Sequence, residues 1–306
     1  MNKSDSILVT GAGGLVGSAV VDLLQSQGFS PVWAIERKHC DLRDPAAARD
    51  LFERIRPDYV FHSAARVHGI LGNMSNQGQS FLDNTLINTS VVDAAMRVGV
   101  KKITVMGTGA VYPFPPQTLP LAEDAIFNGR PHPSENAYAH AKRGMLAMLE
   151  AYEQSYSLNW AYIVSCNLFG PRDKFDPVNG HVIPSLIRKF YEAKRSGGHA
   201  IVWGNGSAQR DFMYVKDAVR AALIVMNQIN GIINMGSGRV YRIRDIVEML
   251  AAITKIDQIA WDTTKPNGQD YRAYDLQRLT STGFKCEYPI KMGLQETWDW
   301  YCTQKP

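Results

Sequence analysis

Ser6-Ile7-Leu8-Val9-Thr10-Gly11-Ala12-Gly13-Gly14-Leu15-Val16-Gly17 is a short apolar run that meets glycines abruptly and passes into a helical pattern. Residues 6–10 read as a buried strand. Leu15, Val16, Ala19, Val20, Leu23 and Leu24 then recur at helical spacing and stop at Gly28. Gly11, Gly14 and Gly17 give the spacing G-x-x-G-x-x-G. Such a turn is tight, and it lets a phosphate approach backbone N–H groups at a helix N-terminus, where the helix dipole favours anions. A glycine cluster alone says little; one placed between a strand and a helix predicts a dinucleotide-binding turn.

The same alternation continues outward from this turn. Strands are expected at Pro31 to Ile35, Tyr59 to Phe61, Ile103 to Met106 and Trp160 to Val164. Helices are expected at Ala46 to Ile55, capped by Asp44 and Pro45, then near Thr85 to Val98 and from Asn136 to Ser155. This is the βαβ pattern of a doubly wound parallel sheet, a Rossmann-type α/β fold. From residue 167 glycine and proline loop signals multiply, with helices at Pro184 to Arg195, Lys216 to Met226, Ile243 to Thr254 and Leu294 to Tyr301. Residues 1–166 are therefore expected to form the dinucleotide-binding domain. Residues 167–306 form a smaller, less regular substrate lobe on the carboxyl edge of the sheet, with some segments returning to it.

Composition narrows the function. The chain has 306 residues, 45% hydrophobic and 20% charged, which is ordinary globular usage. A net charge of +4 with scattered basic residues gives no nucleic-acid footprint and suits a small anionic ligand. Cys40, Cys166, Cys286 and Cys302 lack metal-ligand spacing and form no disulfide framework, which fits a reducing cytoplasm. No apolar run approaches the ~18 residues of a bilayer span, so a soluble, unprocessed protein with no membrane partner is expected.

At the end of the second strand, Glu36-Arg37-Lys38 decides between cofactors. An acidic residue here suits the ribose 2′-hydroxyl of NAD, and a cation suits the 2′-phosphate of NADP. Two adjacent cations outweigh one carboxylate, so NADP(H) is expected, with NAD(H) kept open by Glu36. Tyr138-Ala139-His140-Ala141-Lys142 places a phenol and an ammonium on one helix face. A phenol titrates near ~10 and becomes a proton donor or acceptor at neutral pH when a nearby positive charge stabilises the phenolate.

With Gly107-Thr108-Gly109 between these two motifs, the sequence resembles the extended short-chain dehydrogenase/reductases, and more narrowly the GDP-L-fucose synthases and related GDP-4-keto-6-deoxysugar reductases. The resemblance runs through Asp41-Leu42, Ala64-Ala65-Arg66-Val67, Asn84, residues 107–113, Tyr138 to Lys142, residues 167–171, Asn179-Gly180-His181-Val182-Ile183-Pro184, Val202-Trp203-Gly204, residues 210–212, residues 234–238 and residues 265–268. It implies hydride transfer to a C4 ketone, with Tyr138 as general acid, Lys142 tuning it and holding the nicotinamide ribose, and Thr108 hydrogen-bonding the carbonyl. By the same resemblance the cofactor lies against Gly11, Gly14, Leu15, Val16, Gly17, Arg37, Asp41, Leu42, Ala64 and Ala65. Asn167 positions the sugar, Lys189, Arg210 and Arg272 bind the diphosphate, and Trp203 lies near the base. No metal is implied.

The chain departs from that family at one chemically decisive position. The bifunctional synthases invert C3 and C5 with a cysteine and a histidine. The histidine is His181 here, and the cysteine position is Ala110. A methyl group carries no proton, so a reductase without double epimerisation is expected, unless Cys166 or a water substitutes. His68 stands where the family has glycine, as a pocket residue or a loop filler. The alternatives are a bifunctional GDP-L-fucose synthase, a nucleotide-sugar 4-epimerase and a non-catalytic NADP-sensing protein. Fold-level analogy suggests a homodimer through the helices near Thr85 to Val98 and Asn136 to Ser155.

Overall fold

The computed structural model describes residues 1–67, 69–177, 180–265 and 269–304. The chain runs β1 (Ile7–Thr10), α1 (Leu15–Ser26), β2 (Val32–Ile35), α2 (Pro45–Ile55), β3 (Tyr59–His62), α3 (Ile70–Ser75), α4 (Gln77–Arg97), β4 (Lys102–Met106), α5 (Asn136–Tyr156) and β5 (Trp160–Ser165). It continues with β6 (Asn167–Phe169), α6 (Val182–Ser196), β7 (Ala200–Trp203), β8 (Gln209–Tyr214), α7 (Val215–Gln228), β9 (Gly231–Met235) and β10 (Val240–Arg242). Last come α8 (Ile243–Thr254), β11 (Ile259–Asp262), β12 (Tyr271–Arg272), α9 (Gln277–Thr280) and α10 (Ile290–Thr303).

Six parallel strands form the main sheet in the order β2-β1-β3-β4-β5-β9. Every residue of β1 and β4 is buried, as expected of strands covered on both faces. α1 packs with α7 on one face, while α2, α4 and α5 pack together on the other. The strand order reverses between β1 and β3, and this is where an open α/β sheet leaves a ligand crevice. The glycine turn fills the mouth of that crevice. Gly11 has φ of 71°, and a Cβ there would sit 2.7 Å from the backbone nitrogen of Ala64, beyond β3.

β9 comes from the second half of the chain and closes the sheet by pairing with β5 from Ala161↔Gly231 to Ser165↔Met235. The remaining strands build two small sheets. β8 is flanked by β10, β12 and β6, and β7 pairs with β11. Among the described residues no helix is long and apolar enough to cross a membrane.

The helical stretch after β3 differs from the sequence expectation. α4 begins at Gln77 rather than Thr85, and α3 precedes it. Hydrophobic periodicity misses the opening of α4 because the side chains buried there are polar. Ser80, Asp83 and Asn84 are each at most 2% exposed. Asn84 accepts from the Arg66 backbone N–H at 2.9 Å and donates back to the Arg66 carbonyl at 3.0 Å. α4 therefore starts where it must hold the loop after β3.

Candidate active site

The loops at the carboxyl ends of β1 to β5 converge on one cleft. At its floor, Thr10 Oγ1 lies 2.7 Å from Nδ1 of the buried His62 and accepts from the Ala64 N–H at 3.3 Å, which fixes Ala64 and Ala65 opposite the glycine turn. A Cβ at Gly17 would come within 2.2 Å of the Gly11 carbonyl oxygen, so this tight turn exists only because both positions lack side chains.

The wall after β2 is more elaborate than the sequence suggested. Lys38 pairs with Glu36 at 3.0 Å, while the Arg37 side chain is 76% exposed and 4.0 Å from Asp41. Asp41 is gripped by Arg43, whose Nε and Nη2 donate at 2.9 and 2.6 Å. Hydrogen bonding from Arg43 draws the Asp41 carboxyl down to about 2. Arg43 also reaches Asp83, which binds Arg66 in turn. Arg43 was not singled out from the sequence, where it is one more basic residue in a loop. Its role appears only when α4 brings Asp83 alongside.

Tyr138 and Lys142 stand on the first turns of α5 with the Lys142 Nζ 6.0 Å from the Tyr138 ring centroid, as their spacing predicts. Their electrostatics do not follow the sequence expectation. Burial draws Lys142 from 10.5 down to about 7, and its Nζ donates to the Met106 carbonyl at 2.8 Å. Burial, and then the charge of Glu135, push the Tyr138 phenol above its ordinary value. Desolvation and the Glu135 charge therefore keep the phenol protonated.

Thr108 caps the 3-10 turn Gly109–Val111, its Oγ1 accepting from the Ala110 N–H at 3.2 Å. Ala110 is 2% exposed and packs with Tyr138, Ala139, Ala65 and Val67. Ala110 thus brings a methyl group, and no titratable atom, into the cluster that holds Tyr138. Cys166 is buried beside Asp211 of β8, and burial followed by the Asp211 charge raises its thiol well above the ordinary value.

The second half of the chain carries the cations expected at the diphosphate. Lys189 on α6 lies 4.3 Å from the Trp203 ring centroid, and Lys265 lies 5.8 Å from it. Arg210 and Arg272 are Cα partners across β8 and β12. Burial and then the neighbouring Arg272 charge lower Arg210 to about 10. Asn167 sits in β6, opposite Phe212 of β8. His181 caps α6 with its side chain 46% exposed and its Nδ1 3.8 Å from Asp173. Desolvation pulls its pKa down, but the Asp173 carboxylate and then Glu135 outweigh that, and the net shift is upward.

Sequence reasoning missed Glu135 and Tyr274. Glu135 was detectable, lying three residues before Tyr138 and seven before Lys142, on the same helix face. Tyr274 was not. Its buried hydroxyl lies 2.0 Å from where a Gly109 Cβ would stand, so a residue 165 positions away explains that glycine. His68, Asn179 and residues 266–268 lie outside the described residues.

The chain matches a known group of proteins. The pattern of the NAD dependent epimerase/dehydratase family fits residues 7–237. The chain belongs to that family. Within it, GDP-L-fucose synthase 1 of Arabidopsis thaliana is 35% identical over 98% of this chain and 94% of the relative. A GDP-L-fucose synthetase from Naegleria fowleri, solved bound to NADP, superposes with a TM-score of 0.92 at 30% identity, over 99% of this chain and 94% of its own. A GDP-mannoheptose C4 reductase from Campylobacter jejuni with NADP bound superposes with a TM-score of 0.88 at 26% identity, over 99% of both chains.

Proposed function

We propose that the protein is an NADPH-dependent oxidoreductase that reduces the C4 ketone of a GDP-4-keto-6-deoxyhexose or -heptose without inverting C3 and C5. The observation that carries this reading is the methyl of Ala110 packed on the Tyr138 side of the cleft, next to an intact Tyr138 and Lys142 pair. The relatives support the substrate class, since they are GDP-sugar synthases and reductases, two of them solved with NADP.

The residues present fit a dinucleotide, because the cradle at Gly11 and Gly17 would be filled by any side chain. Gly11, Gly14, Leu15, Val16, Gly17, Asp41, Leu42, Ala64 and Ala65 would hold it, with Arg37 and Arg43 toward a 2′-phosphate and Lys142 on the nicotinamide ribose. When bound, NADPH supplies the hydride. Thr108 Oγ1 already accepts from the Ala110 N–H, so its own proton is left to donate to the C4 carbonyl oxygen. Tyr138 then gives its phenolic proton to the same oxygen as the alkoxide forms, and a phenol kept protonated by burial is in the form this step requires. Lys189, Arg210 and Arg272 bind the diphosphate, where the arginines offer a fork and the lysine a point charge. Trp203 packs near the base and Asn167 near the sugar.

Stereochemical inversion needs proton transfer on both faces of the ring. His181 offers one partner; Ala110 offers none, and burial and the high pKa of Cys166 keep it from acting as a thiolate. The bifunctional synthase reading rests on His181 and its Asp173 alone. Incubating the enzyme with NADP⁺ and a panel of GDP-4-keto sugars in D₂O distinguishes the two. With NADP⁺ no deuterium at C3 or C5 is expected, and in a parallel incubation with NADPH in its place the ketone is reduced with stoichiometric NADPH consumption; rapid exchange at both carbons with NADP⁺ establishes the bifunctional enzyme instead. The four unpaired cysteines support a cytoplasmic location, and exposed Phe81 and Leu82 on α4 with Tyr156 on α5 support a homodimer through those helices.

A further inference from the structure

Arg272, one of the cations assigned above to the diphosphate, is already engaged in the ligand-free protein. Its Nη2 donates to Glu135 Oε2 at 3.1 Å, and its Nε to Gln269 Oε1 at 3.3 Å. The ion pair spans 137 positions of sequence and joins the start of the catalytic helix to the substrate lobe. It is well shielded, with the side chains of Arg272 and Glu135 only 13% and 24% exposed.

Glu135 closes the 3-10 turn Pro133–Glu135 that leads into α5. Its charge is felt at Tyr138, His181, Arg210 and Arg272, so it lies among the groups assigned to the reaction and to the diphosphate. Arg210 and Arg272 are neighbours across β8 and β12, and burial, followed by the Arg272 charge, lowers Arg210 to about 10. A pair of adjacent guanidiniums needs an anion between or beside them. In this structure that anion is the Glu135 carboxylate.

We propose that Glu135 is an internal stand-in for the substrate's diphosphate, released from Arg272 when the nucleotide-sugar binds, and so a specificity-determining residue for ligand charge. A diphosphate brings more negative charge than the single carboxylate it displaces and gains from the exchange. A neutral or singly charged ligand does not. The displaced carboxylate stays on the Tyr138 face of the helix, within the cleft, where it can accept from a sugar hydroxyl. This inference rests on the reading of Arg210 and Arg272 as the diphosphate subsite.

A double-mutant cycle on GDP binding, measured by calorimetry on the full-length protein, tests it. Glu135→Gln is expected to tighten GDP by about three- to tenfold, the scale of a partly shielded ion pair that no longer has to be broken. Arg272→Met is expected to weaken GDP about tenfold or more, and in that background Glu135→Gln should change nothing, which a general loss of packing would not produce. Arg272→Lys, which keeps the charge and loses the fork, replaces the Met variant if the latter does not fold. Unchanged or weaker GDP binding in Glu135→Gln, with Arg272→Met still weakening it, overturns the stand-in role and leaves the subsite intact. Unchanged binding in the Arg272 variants overturns the subsite itself.

Discussion

Replacing Lys142 with methionine should make the ligand-free protein more stable and abolish turnover. The Lys142 side chain is 1% exposed and its single described hydrogen bond goes to the Met106 carbonyl. A lysine that titrates near 10.5 when unfolded and near 7 when folded carries more protons in the unfolded state throughout the interval between. At pH 7 that difference costs the folded state about 4 kcal/mol, at about 1.4 kcal/mol for each tenfold change in proton affinity. Methionine removes this cost but leaves the Met106 carbonyl unpaired, a loss of about 1–3 kcal/mol. The expected net gain is about 1–3 kcal/mol at pH 7. Because the wild-type protein recovers stability as pH rises from 7 toward 10.5, the advantage of the variant should shrink by about 2 kcal/mol between pH 7 and pH 9. Urea unfolding of both proteins at pH 6, 7, 8 and 9 measures this, and comparing the two cancels the parallel contribution of Lys102, itself lowered to about 8 by burial. A variant destabilised at every pH, or a difference that does not change with pH, would refute the claim that desolvation governs this lysine.

Tyr138→Phe should lower kcat by about 10²- to 10⁴-fold while NADPH binding, followed by fluorescence titration, stays near wild type, because only the proton donor is lost. Arg37→Ala should weaken NADPH by about tenfold and NADH by less than twofold, since the Arg37 side chain is exposed and its carboxylate contact is a long one at 4.0 Å; equal weakening of both cofactors would remove Arg37 from the phosphate site.

How much of this could be read in advance depends on the range of the interactions involved. The strand–turn–helix at residues 6–17, the alternation of strands and helices and the Tyr138 and Lys142 face are all local. Backbone sterics and the 3.6-residue helical repeat operate within a few positions, so a sequence states them directly. The opening of α4 was hidden because its buried residues are polar, and their burial is sensible only once the Arg66 loop lies against them.

The titration behaviour of the site belongs to the tertiary structure. The sequence placed an ammonium beside a phenol; the fold buried both, and burial raises the phenol and lowers the lysine. The Arg43, Asp83 and Arg66 chain, the contact of Tyr274 with Gly109, the closing of the sheet by β9 and the Glu135 to Arg272 pair likewise join segments from about 20 to 170 positions apart. Local spacing determined which chemical groups this protein has and which helix face carries them. Which charges meet, and how far water is kept from them, was decided by the path of the chain, because electrostatic strength depends on distance and burial rather than on separation in sequence.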